Sequence, residues 1–200
     1  MKTKKSEQEI LQHIADGWVE IRTGLTVIPN ACILAGNFAH RILDTFEIPH
    51  RMRPIGATVF NQKGWEMFGM PPHQLPDDAW SVHCSSKSEH VLLKGWSGHL
   101  IVETENFFLD LTAEAFSRPN HNISIFAPLL VPRKNIMRMP DGTPAKRLAG
   151  GDDAFGFQLF GGIYTFYYED FNQVYKKASD WSVTFRQLGC SRVVEAIQLK

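Results

Sequence analysis

Cys32, His99 and Asp110 are the residues whose types and placing promise chemistry. Cys32 follows Asn30, a good helix cap, so it falls near the second position of a helix. There the free N–H groups and the positive end of the helix dipole favour thiolate over thiol. A thiolate is the nucleophile that acyl transfer needs, and the Cys32 N–H can help to hold an oxyanion. The plainer role for a free cysteine is that of a small buried hydrophobe. His99 tips the balance, because it stands in GHLIVE, a strand pattern in which a core histidine would be an odd choice. An imidazole there can take the thiol proton and return it to a leaving group. Asp110 interrupts the apolar run FFLDLT, and a carboxylate in such a place needs a partner. A histidine that must be held in one tautomer is such a partner; a strand-end pair with an arginine is the alternative.

Three elements have to position this set. Residues 31–46 are apolar nearly all round, with a polar strip only at Asn37, His40, Arg41 and Asp44, so this helix is expected to be buried centrally. Residues 98–103 and 107–112 read as two strands of a hairpin split by a polar stretch. If Glu105-Asn106 is a two-residue turn, paired numbers sum to 211, and Ile101 opposes Asp110. His99 and Asp110 then become diagonal neighbours on one face, whereas any even sum puts them on opposite faces.

Around these lie an amphipathic helix over residues 6–22, a strand from His50 to Phe60, and strands within 124–131 and 155–168. A C-terminal helical pattern runs over 170–188. Residues 61–95 and 138–153 read as irregular loops and are expected to border the active-site cleft, since loops on a rigid scaffold commonly carry specificity.

The order of these segments resembles the transglutaminase-like members of the papain-type cysteine-hydrolase superfamily. The resemblance is carried by Cys32 at a helix start, EIPHRMRPIGA over 47–57, GHLIVE over 98–103 and FFLDLT over 107–112. It covers roughly residues 29–112. It implies an α+β fold with a papain/transglutaminase-like core, in which a central Cys-bearing helix packs on an antiparallel sheet. It also implies Cys32 as nucleophile, His99 as base and Asp110 as orienter. Glu47 stands where the family pattern has glycine, and the stretch 61–95 looks like an insertion. The family often has an upstream residue that completes the oxyanion hole; Asn30 and Trp18 are the candidates, and Trp96 could shield the imidazole. The Arg-Gly-Gly-rich entry of the arylamine N-acetyltransferases is absent.

Bulk properties bound the rest. The chain has 200 residues with no linker-like composition shift, which suggests a single domain over 1–200. Formal net charge is zero, so no nucleic-acid or membrane partner is expected. Three cysteines make no disulfide framework, and no signal-like apolar stretch precedes them, so a reducing cytoplasm is the expected compartment. No cofactor and no metal are expected: His83, Cys84 and His90, with His73, fit no zinc spacing. The expected partner is a peptide or a small amide or ester substrate; oligomeric state is left open. The function that follows is a cysteine-dependent peptidase, amidase or transglutaminase-type acyltransferase. The competing class is a binding protein on the same scaffold without turnover.

Overall fold

A computed structural model of the chain describes residues 5–23, 31–68, 72–85, 98–126, 128–169 and 183–199. Helix α1 (Glu7–Thr23) starts on a reciprocal cap. The Glu9 N–H donates to Ser6 Oγ at 3.3 Å, and the Ser6 N–H donates to the Glu9 carboxylate at 2.7 Å. Its buried stripe is Ile10, Leu11, Ile14 and Trp18. Helix α2 (Ala31–Thr45) buries Ile33, Ala35, Phe38, Ala39, Ile42 and Leu43, as its nearly continuous apolar surface requires.

The chain then turns through Phe46–Pro49 into β1 (His50–Asn61), and Glu47 makes the turn at φ 54°. This left-handed conformation suits glycine and costs a side-chain-bearing residue roughly 1–3 kcal/mol. Glu47→Gly is therefore expected to stabilise the protein by about 1 kcal/mol once the entropy of an added glycine is offset. A urea denaturation midpoint that falls in this variant would refute that account of the turn.

The remaining elements are α3 (Gln62–Glu66), β2 (Ser81–Cys84), β3 (His99–Thr104), β4 (Phe107–Asp110), β5 (Leu129–Pro132) and β6 (Met137–Arg138). They are followed by α4 (Pro144–Leu148), β7 (Ala154–Leu159), β8 (Gly162–Tyr168) and α5 (Val183–Leu199). The eight described strands form one sheet, seven of them in the order β5-β4-β3-β1-β8-β7-β6 with β2 paired to β1 off this path, and every pairing in it is antiparallel. β1 is the hub: its first half pairs with β3, its second half with β2, and its other edge with β8.

The sheet curls into a half-barrel. Phe108 on β4 and Phe157 on β7 are four strand steps apart, about 19 Å in a flat sheet. Their ring centroids are 5.4 Å apart. The concave face encloses Ile55, Ala57, Val59, Ile101, Phe108, Tyr164 and Phe166. The other face packs on the helices through Val102, Leu109 and Leu111, against Leu11, Ile14, Trp18, Phe38 and Ile42. Gly36 lets α2 come down on the sheet, since a Cβ there would lie 2.7 Å from Leu100 Cδ2. The architecture is thus α+β, with mixed helices and an antiparallel sheet. No helix among the described residues is long and apolar enough to cross a membrane.

Several boundaries differ from the sequence reading. The stretch 61–95 holds α3, β2 and a short 3-10 turn at Pro72–Gln74, so part of it is regular. β2 is only four residues long, and its edge position gave no apolar alternation to read. The stretch 138–153 contains α4, which packs with Met139, Ala154 and Tyr167 in a separate small cluster. The C-terminal helix runs Val183–Leu199, beyond the end of the expected span, and residues 170–182 lie outside those described.

Candidate active site

The β3–β4 hairpin decides whether His99 and Asp110 can meet. Val102 opposes Leu109 and Glu103 opposes Phe108, so paired numbers sum to 211. His99 opens β3 and Asp110 closes β4, which places both at the same end of the hairpin and on its concave face. His99 Nε2 and Asp110 Oδ2 are 2.8 Å apart, and the two residues are 4% and 0% exposed. Phe116 closes over the imidazole edge-on, with ring centroids 5.0 Å apart.

Asp110 is saturated. The Tyr164 hydroxyl donates to the same Oδ2 at 2.8 Å, and the Thr112 N–H donates to Oδ1 at 3.0 Å. Tyr164 was not visible as a site residue in the sequence. It comes from β8, two strands away from β3, and reaches Asp110 only because the sheet curls. Burial first, then the charge of Asp110, hold the Tyr164 hydroxyl well above its ordinary titration range, so it serves as a neutral donor.

Cys32 stands second in α2, at the tip of the helix that carries Gly36 over Leu100. Its side chain is electrostatically coupled to His99. Because Nε2 faces Asp110, Nδ1 is the ring nitrogen free for another partner. Burial acts to lower the His99 pKa, but the Asp110 charge and hydrogen bond, joined by the coupling to Cys32, outweigh it and raise it to about 10. Cys84, at the end of β2, is electrostatically coupled to Cys32 and Asp110; burial first, then the Cys32 charge, push its thiol up to about 12.

The His99 shift has a consequence for stability. A histidine whose folded pKa lies above its ordinary 6.5 adds stability that is complete below about pH 6.5 and is lost as pH rises towards 10. Urea midpoints measured between pH 6 and 10 should fall more steeply in the wild type than in His99→Gln. Equal slopes would mean that the imidazolium is not held by Asp110 and Cys32.

The other expected residues are distributed as follows. Trp18 is fully buried in the helical core with its ring 5.8 Å from Phe38, and its indole N–H has no hydrogen-bond partner among the described residues. It does not line an open cleft. Asn30 and Trp96 lie outside the described residues. Of the two loop regions expected at the cleft, 61–95 reaches it through Cys84, whereas 138–153 packs through α4 with Tyr167, on the other face of β8 from Tyr164. His83 bonds the Thr58 hydroxyl at 2.7 Å, and its neighbour Cys84 points to the opposite face of β2, so these two do not converge. His90 lies outside the described residues.

No family model and no curated protein matches the chain. One solved crystal structure, of a genomics target, is similar at 16% identity over 98% of this chain and 82% of that one, with a TM-score of 0.49.

Proposed function

We propose that the chain is a cysteine-dependent acyl-transfer enzyme of the peptidase, amidase or transglutaminase type, built on a papain/transglutaminase-like core. The observation that supports this reading is one buried imidazole bonded through Nε2 to Asp110 and coupled electrostatically to the Cys32 side chain. A hydrophobic histidine site would not need a saturated carboxylate beneath it, and an inert thiol would not need an imidazole beside it.

In this reading the Cys32 thiolate attacks an amide or ester carbonyl, and the S–C bond forms as the carbonyl π electrons move to oxygen. The oxyanion faces the free N–H groups of the first turn of α2, Cys32 among them. The His99 imidazolium gives its proton to the leaving amine or alcohol as the C–N or C–O bond breaks. Neutral His99 then takes a proton from water or an acceptor amine as that nucleophile attacks the thioester. Collapse expels the Cys32 thiolate and restores the pair. Asp110 holds the imidazole with Nδ1 towards sulfur throughout, and Tyr164 and Thr112 hold Asp110.

The burial of Trp18 favours a second reading, a binding protein without turnover, because it withdraws one of the two candidates for a second oxyanion donor. Peptide, activated-ester and aryl-amide probes separate the two. An enzyme accumulates a thioester that mass spectrometry places on Cys32, and Cys32→Ala forms none. Absence of acylation by all three probe classes, in protein that binds them, would sink the enzyme reading.

A further inference from the structure

The far end of α2 carries a second cluster of chemistry-bearing side chains, about 12 Å along the helix from Cys32 at 1.5 Å per residue. His40 and Asp44 are one turn apart on the same helix face, and His50, the first residue of β1, faces them across the Phe46–Pro49 turn. We propose that His40, Asp44 and His50 bind a divalent transition-metal cation of the zinc class. The acyl-transfer reading assigns these residues nothing, and the sequence reading expected no metal.

The geometry has three parts. First, the donor atoms converge: all three residues offer a ligand atom within 4.8 Å of the others. His40 Nδ1 and His50 Nε2 are 2.6 Å apart, His40 Nε2 and Asp44 Oδ2 are 3.5 Å apart, and His50 Nε2 and Asp44 Oδ1 are 3.9 Å apart. A tetrahedral zinc site with Zn–N bonds of about 2.0–2.1 Å has ligand–ligand edges of about 3.3 Å. With His40 ligating through Nδ1, the imidazoles need to part by less than 1 Å, and the exposed Asp44 carboxylate has to swing in from the side of the other ring nitrogen.

Second, His50 is prepared as a ligand. Its side chain is 5% exposed, and Nδ1 lies 2.7 Å from the Ile48 carbonyl oxygen. That carbonyl can only accept, so Nδ1 carries a proton and Nε2 is the nitrogen turned to His40 and Asp44. A backbone carbonyl on the far ring nitrogen is the outer-shell contact that fixes and strengthens metal-ligating histidines.

Third, the site is open. His40 and Asp44 line a cavity of about 820 Å³ between α2 and α5, also bordered by Arg41 and Glu195. A cation there has room for water as its fourth ligand. Two imidazoles and one carboxylate form a borderline donor set, which suits zinc over calcium or magnesium. Bound metal would pin the end of α2 to the start of β1, across the turn strained at Glu47.

The test uses the full chain, stripped by chelation and titrated with Zn²⁺, and with Co²⁺ as a spectroscopic stand-in. One equivalent should bind, raise the melting temperature reversibly, and give a Co²⁺ spectrum without a thiolate charge-transfer band. Asp44→Asn and His40→Gln should each weaken binding at least about tenfold. Asp44 and His40 side chains are 60% and 40% exposed, so both variants can be checked for an unchanged melting temperature without metal. Cys32→Ala should bind as the wild type does. Failure to bind one equivalent overturns the proposal. So does binding that Asp44→Asn and His40→Gln leave unchanged, or that Cys32→Ala abolishes.

Discussion

Asp110→Asn is expected to lower acyl turnover by about 10⁴-fold while leaving Cys32 in place. The reason lies in who donates to whom. In the wild type, the Asp110 carboxylate accepts from His99 Nε2, so Nδ1 is free to take the thiol proton. An asparagine amide turned towards His99 donates instead. Nε2 must then accept, the ring proton moves to Nδ1, and it points at Cys32, where a base is needed. Tyr164 adds to the conflict, because its hydroxyl donates to the same oxygen as His99 and would meet an amide nitrogen. Steady-state rates on whichever acyl probe modifies Cys32 check this. A decrease of less than tenfold would show that Asp110 does not set the tautomer.

Asp110→Ala should have the largest effect on stability, about 3–5 kcal/mol. It strands three buried donors at once: the His99 ring, the Tyr164 hydroxyl and the Thr112 N–H. Asp110 itself is fully buried, so water does not readily replace it. Tyr164→Phe isolates one member of the network and should cost only about 1 kcal/mol, since it removes a donor and leaves the carboxylate with two others. Urea denaturation of the two variants gives both numbers. Similar losses in the two would mean that Tyr164, and not the carboxylate, organises this part of the core.

The hairpin was readable in the sequence because a polar two-residue turn sits between two apolar runs, and a strand period of two leaves only a yes-or-no question about shared faces. The Cys32 helix was readable because its apolar surface leaves only a narrow polar strip at Asn37, His40, Arg41 and Asp44. Tyr164 was not readable for the opposite reason. Nothing near it in sequence marks it, and its partnership with Asp110 depends on strand order and on curl, which are properties of the whole sheet. The alternation of Tyr164, Phe166 and Tyr168 gave one clue: aromatic residues with polar ends on a buried face need partners for their hydroxyls. Tyr168 finds its partner in Glu103, at 2.5 Å. Glu47 is a further case. Its backbone lies in the left-handed region at φ 54°, a conformation that favours glycine.

The central claim is that Cys32 and His99 act as one unit, and the rate of Cys32 alkylation at pH 6 tests it most directly. With a small electrophile such as iodoacetamide, and peptide mapping to assign the label, wild-type Cys32 should react readily, as the proposed pairing with His99 requires. Cys84 should stay unlabelled in folded protein, its thiol being pushed up to about 12 by burial. His99→Ala should slow Cys32 labelling at pH 6 by at least tenfold, and the difference should shrink as pH rises towards 9. A His99→Ala profile that overlays the wild type from pH 6 to 9 would contradict the account.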